Sequence, residues 1–117
     1  MHSEVKDEYV ILKPDSQGAK EEDNTLELFF SELKEKISTF SSSNLILDFS
    51  EIVNTDVTKI LLFSPLSGKH KDRNKSFVIV SEGINVEEIP EDLGVVPTLQ
   101  EAIDIVEMEN IERDLGI

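Results

Sequence analysis

The run Asn44-Leu45-Ile46-Leu47-Asp48-Phe49 constrains this chain more than any other stretch. Its apolar residues are consecutive, where a strand wetted on one side would alternate, so burial on both faces is expected. Strands of that kind belong to parallel or mixed sheets covered by helices. Three further strands are expected: Glu8–Lys13, closed by Pro14; Ser76–Ser81; and the short pair Val95-Val96 before Pro97.

Helical patterns fall between and after these strands. Leu26, Phe29, Phe30, Leu33, Ile37 and Phe40 recur at the spacing of one buried helix face, with Glu27, Glu32, Lys34, Glu35 and Lys36 on the other side. A second helix is expected to open near Asp56 and to run through Val57, Ile60, Leu61 and Phe63. Pro65 predicts a kink or a break with a short turn after it, since proline inside a helix costs about 3 kcal/mol. Thr98-Leu99-Gln100-Glu101 is a capping box that opens a last helix, whose buried face is Leu99, Ala102, Ile103 and Val106. The alternation of strands and helices predicts an α/β sandwich, a mixed sheet of about four strands with helices packed on it. A length of 117 residues fits a single domain spanning the whole chain.

The connections are polar. Residues 15–24 make a loop containing Gly18, Lys69–Lys75 a basic loop, and Gly83–Gly94 an acidic connector with a helical turn at Val86–Ile89. Residues 107–117 form a C-terminal tail or an extension of the last helix. Met108, Ile111 and Leu115 keep helical spacing there, but at about 100° per residue they point away from the first stripe. Either the helix breaks near Asn110 and the tail folds back, or a second apolar face awaits a partner or a second copy of the chain.

Charge and composition exclude several activities. The formal charge of −14 repels nucleic acid phosphates and anionic membranes, so neither is expected as a partner. There is no cysteine, which removes thiolate catalysis and Cys-based zinc sites. The apolar run Ile60–Phe63 is far short of the ~20 residues of a membrane helix, and the first residues lack the pattern of an export signal, so a cytoplasmic chain is expected. His2 and His70 are the two histidines, with no His-x-His spacing, and a Ser-His-Asp set would depend on His70. The glycines are scattered and form no phosphate-binding loop. Asp48, Glu51 and Asp56 could together hold a hard cation through oxygens, but solvated surface acids are the simpler reading. No catalytic residue, metal or cofactor is expected.

Several of these stretches, in this order, resemble the STAS domain, the family of sulphate-transporter and anti-sigma factor antagonist domains. Leu47-Asp48-Phe49-Ser50-Glu51 matches its Asp-Leu-Ser strand end, Ser76–Val80 its later strand after a basic loop, and Val96-Pro97-Thr98-Leu99-Gln100-Glu101-Ala102 the start of its final helix. The likeness covers about Glu8 to Val106. The tail from Glu107 is similar to that of short bacterial STAS-type proteins sometimes labelled ribonuclease Z, a metal enzyme whose histidine cluster this chain does not carry.

One departure bears on function. Where the family has Asp-Ser-Ser-Gly-Leu, this chain reads Asp56-Val57-Thr58-Lys59-Ile60. Asp56 is kept, and Thr58 stands where the phosphorylated serine would be. The resemblance implies a regulatory, non-enzymatic module that binds a protein, either a kinase-type anti-sigma factor or an enzyme such as a nuclease that it assists without phosphoregulation. It makes Thr58 a candidate phosphoacceptor, against an ordinary first-turn helix residue. Asp56 and Lys59 are candidate partner contacts, as are Met108, Ile111 and Leu115, through which a dimer could also form.

Overall fold

A computed structural model describes residues 1–15, 24–52 and 55–116 of the chain. Five strands lie in one sheet in chain order: β1 (His2–Val5), β2 (Val10–Lys13), β3 (Leu45–Asp48), β4 (Phe77–Val80) and β5 (Gly94–Val96). Strands β2 to β5 are parallel, with Leu45 opposite Phe77 and Val78 opposite Gly94; β1 runs antiparallel to β2. The sheet is therefore mixed, with five strands where about four are expected. The additional strand is β1, an edge strand whose four residues are all exposed and so carry no apolar alternation.

Four helices accompany the sheet: α1 (Thr25–Lys36), α2 (Val57–Leu61), α3 (Ser64–Lys71) and α4 (Leu99–Asp114). Crossovers between parallel strands are right-handed almost without exception. A sheet that advances strand by strand in one direction therefore receives all of them on one face. Side-chain packing agrees. Val10, Leu12, Leu45, Leu47, Phe77 and Ile79 of the sheet pack with Leu26, Phe29 and Leu33 of α1, with Ile60, Phe63 and Leu66 around α2 and α3, and with Leu93 of the β4–β5 connection. The alternate strand positions Ile11, Ile46, Val78 and Val80 face the other way and meet Ala102 and Val106 of α4. Thus α4, which follows the last strand, covers the second face.

Pro65 separates α2 from α3, and its effect is a new helix of eight residues rather than a short turn. It occupies the first turn of α3, where its missing N–H has no intrahelical partner to lose. That helix takes in Lys69, His70 and Lys71, so only the second half of the basic stretch is loop. The lysines then sit at the helix C-terminus, where positive charge opposes the dipole. Asn74 turns the chain toward β4 with a left-handed φ of 62°, which asparagine adopts more readily than most residues. The amphipathic helix from Thr25 ends as α-helix at Lys36 and tightens into a 3-10 turn at Ile37–Phe40. A second such turn, Val86–Glu88, lies where one helical turn is expected. The expected loop from Asp15 to Asn24 lies, between residues 16 and 23, outside the described residues.

Candidate functional site

The start of α2 is positioned by aromatic rings. Phe49 leaves the end of β3 and stacks edge-on with Phe29 of α1 at 5.5 Å, and its ring lies 5.3 Å from that of Phe63, just past α2. Phe63 also meets Phe29 at 5.9 Å and Phe30 at 5.4 Å. These contacts seat α2 against α1 at the C-terminal end of β3.

Asp56 caps the helix from an extended conformation, φ −113° and ψ 167°, and its Oδ1 accepts the Lys59 N–H at 3.0 Å. An Asp at this position satisfies a backbone donor that the first turn leaves free. Thr58 is the second residue of α2 and its side chain is exposed. The Lys59 ammonium reaches toward α1, 3.9 Å from the Glu27 carboxylate. Thr58 thus projects from a turn that holds Asp56 and Lys59, with the Lys59 side chain reaching to Glu27.

Asp48 is buried at the end of β3. One of its oxygens accepts the Ser50 N–H at 3.0 Å and the other lies 3.9 Å from the Lys13 ammonium. Its charge is engaged in holding the strand ends. Among the described residues no three His, Cys, Asp or Glu side chains come together as a metal would require, Asp48, Glu51 and Asp56 included.

Helix α4 runs unbroken to Asp114, so residues 107–114 extend the helix and do not fold back. Its side toward the sheet carries a polar network that sequence reasoning misses. The Asn44 side chain donates to the Glu8 carbonyl at 2.9 Å and to Asn110 Oδ1 at 3.0 Å. Its oxygen accepts the Ser76 N–H at 2.8 Å and Arg113 Nη2 at 3.1 Å. Arg113 also reaches Ser76 Oγ at 3.0 Å and Asn110 Oδ1 at 2.7 Å, and Ser76 Oγ donates to Glu109. The available signal is a polar residue immediately before each apolar strand, Asn44 and Ser76, both buried. On the opposite side of the helix Met108, Ile111 and Leu115 are 57%, 59% and 67% exposed.

The two sets of candidate contacts do not form one surface. Asp56, Thr58 and Lys59 follow the C-terminal end of β3, while the last turns of α4 are tied to Asn44 and Ser76 at the N-terminal ends of β3 and β4. They also lie on opposite faces of the sheet.

His70 is sealed in the core, 1% exposed, on the face shared with Phe77. Its Nε2 donates to the Ser43 carbonyl at 2.6 Å, and its Nδ1 is buried without a partner among the described residues. Burial pushes its pKa below the ordinary histidine value, and Arg73 and Lys75 push the same way against the Ser43 bond. Among the described residues neither ring nitrogen meets a serine hydroxyl, and the ring packs as a core side chain. Among the described residues no helix is long and apolar enough to cross a membrane.

The fold and its surfaces define an α/β protein with a mixed five-stranded sheet, clothed by α1 to α3 on one face and by α4 on the other. No protein-family model and no curated protein matches the chain.

Proposed function

We propose that the chain is a non-enzymatic protein-interaction module of the STAS type, working in the bacterial cytoplasm, with the start of α2 as its contact surface and Thr58 as its phosphoacceptor. The observation that carries this reading is the exposed Thr58 hydroxyl on a turn fixed by the Asp56 cap and the Phe49–Phe63 contact. A group so mounted presents one geometry to a partner without an ordering cost. A phosphate placed there would add about two negative charges and alter any interface that includes it. The STAS likeness is supported by the passage β2–α1–β3–α2–α3–β4, with Asp56-Val57-Thr58 opening the helix after β3 and Thr98 capping the last one. The partner fitting this reading is a kinase-type anti-sigma factor.

The Glu27 carboxylate beside Lys59 favours a second reading, because it engages the Lys59 ammonium while Asp56 opposes a further negative charge at Thr58. In that case the same surface docks constitutively on an enzyme such as a nuclease, and the chain is its accessory. Capture from source-cell lysate with the chain as bait, followed by mass spectrometry of both partners, separates the two. A kinase-like ATPase released by phosphate on Thr58 supports the first. An enzyme held by the unphosphorylated chain, equally by wild type, Thr58→Asp and Thr58→Ala, overturns it in favour of the second.

A further inference from the structure

The outward face of α4 carries three of the exposed large apolar side chains among the described residues. Met108, Ile111 and Leu115 succeed one another at three and four residues, so they form a single stripe about 10 Å long at 1.5 Å per residue. The helix does not need this face for its own attachment. Ala102 and Val106 hold the opposite side to the sheet, and Asn110 and Arg113 anchor its end.

The stripe is edged by acids. Glu107 and Asp114 lie along one side, Glu112 along the other, and Asp104 continues the line one turn earlier. All four are exposed, and among the described residues none of them forms an ion pair. Glu112 shares a surface hollow with Lys71 and Lys75, and Glu107 shares one with Lys6, but among the described residues neither acid forms an ion pair. Three exposed apolar side chains between acidic margins are complementary to a helix with an apolar stripe and basic flanks.

A second copy of the chain fits poorly. Pairing two α4 faces sets acidic margins against acidic margins, on molecules that each carry a formal charge of −14. The stripe is also short for a stable dimer, which buries about 800 Å² per partner. A single helix laid along it needs much less surface.

We infer that the Met108–Leu115 face of α4 is a docking site for a basic amphipathic helix of a partner protein. This surface lies on the opposite face of the sheet from Thr58, so the inference stands or falls independently of the proposed phosphoswitch.

The test uses the full chain and two synthetic peptides of about 18 residues, long enough to be helical. One places leucines at three-and-four spacing with lysine and alanine elsewhere; the other is a scramble of the same composition. Titration at physiological ionic strength screens general attraction beyond ~8 Å. The amphipathic peptide should bind at least about tenfold tighter than the scramble, a margin equivalent to one well-packed apolar contact. Met108→Ser combined with Ile111→Ser should abolish that preference while leaving the circular dichroism spectrum and urea midpoint unchanged. Equal affinity for the two peptides overturns the inference, as does an undiminished preference in the double variant. Sedimentation showing a wild-type dimer that the double variant loses overturns it too, by assigning the stripe to a second copy.

Discussion

The Arg113 guanidinium donates to the Asn44 side-chain oxygen at 3.1 Å, joining residues 69 positions apart. Asn44 stands just ahead of β3 and Arg113 in the last turn of α4, so one contact ties the helix end to the sheet. Around it every polar group of the Asn44 carboxamide is used: the oxygen twice as acceptor and the nitrogen twice as donor.

Asn44→Ala removes this hub and leaves the Ser76 N–H buried with no acceptor. An unsatisfied buried donor costs about 1–3 kcal/mol, and the lost bonds add to it. We expect a destabilisation of about 2–4 kcal/mol in urea unfolding. Arg113→Ala should cost about 1–2 kcal/mol, and the double variant should show less than the sum, because both changes break the same bond.

The aromatic seat of α2 should be equally measurable. Phe63→Ala opens a cavity among Phe29, Phe30 and Phe49 and should cost about 3–5 kcal/mol. Thr58→Ala, at an exposed position, should stay within about 0.5 kcal/mol of wild type by the same measurement.

Asp56→Ala isolates the cap from the core. The Lys59 N–H loses its acceptor but is free to meet water, so a loss of about 1 kcal/mol is expected, and Asp56→Asn should recover most of it. Equal losses in the two variants would assign the effect to the charge and not to the cap.

Gly68 offers a change of the opposite sign. It sits exposed inside α3, and a Cβ built on it meets nothing within 4 Å. Gly68→Ala should therefore add about 0.4–1 kcal/mol, largely by restricting the unfolded chain.

His70 gives stability a pH dependence. Burial lowers its pKa in the folded state, so between that value and the ordinary one near 6.5 the unfolded chain binds more protons than the folded chain. Stability therefore rises with pH across this window; the contribution is complete above it and is lost as pH falls. The urea midpoint of wild type should drop further than that of His70→Gln between about pH 7 and pH 5. Parallel slopes for the two proteins would remove His70 as the cause.

Much of this architecture is legible in the sequence because the core dictates it. Leu45–Leu47 and Phe77–Val80 are buried on both faces, and their unbroken apolar runs say so. Thr98 does cap α4, accepting the Glu101 N–H at 3.2 Å, and the spacing of Leu26, Phe29 and Leu33 does mark the buried side of α1. Strand β1 is not legible, since an exposed edge strand needs no apolar pattern, only backbone partners in β2. Nor is the separation of the candidate contacts. Periodicity places Met108, Ile111 and Leu115 opposite Ala102 and Val106, but only the strand order puts them on the far side of the sheet from Thr58.

Because the crossover helices α1 to α3 pack on one face, no helix among the described residues covers the other face of the sheet before Leu99. If the first layer closes during synthesis before α4 emerges, Ile11, Ile46, Val78 and Val80 are left facing water. Nascent chains held on the ribosome just short of α4 should therefore bind an apolar dye that chains including α4 exclude; equal dye binding would show that the two layers close together. Helix α4 is thus the element that dresses the second face of the sheet, and its Asn44–Arg113 tie acts as the latch on that closure.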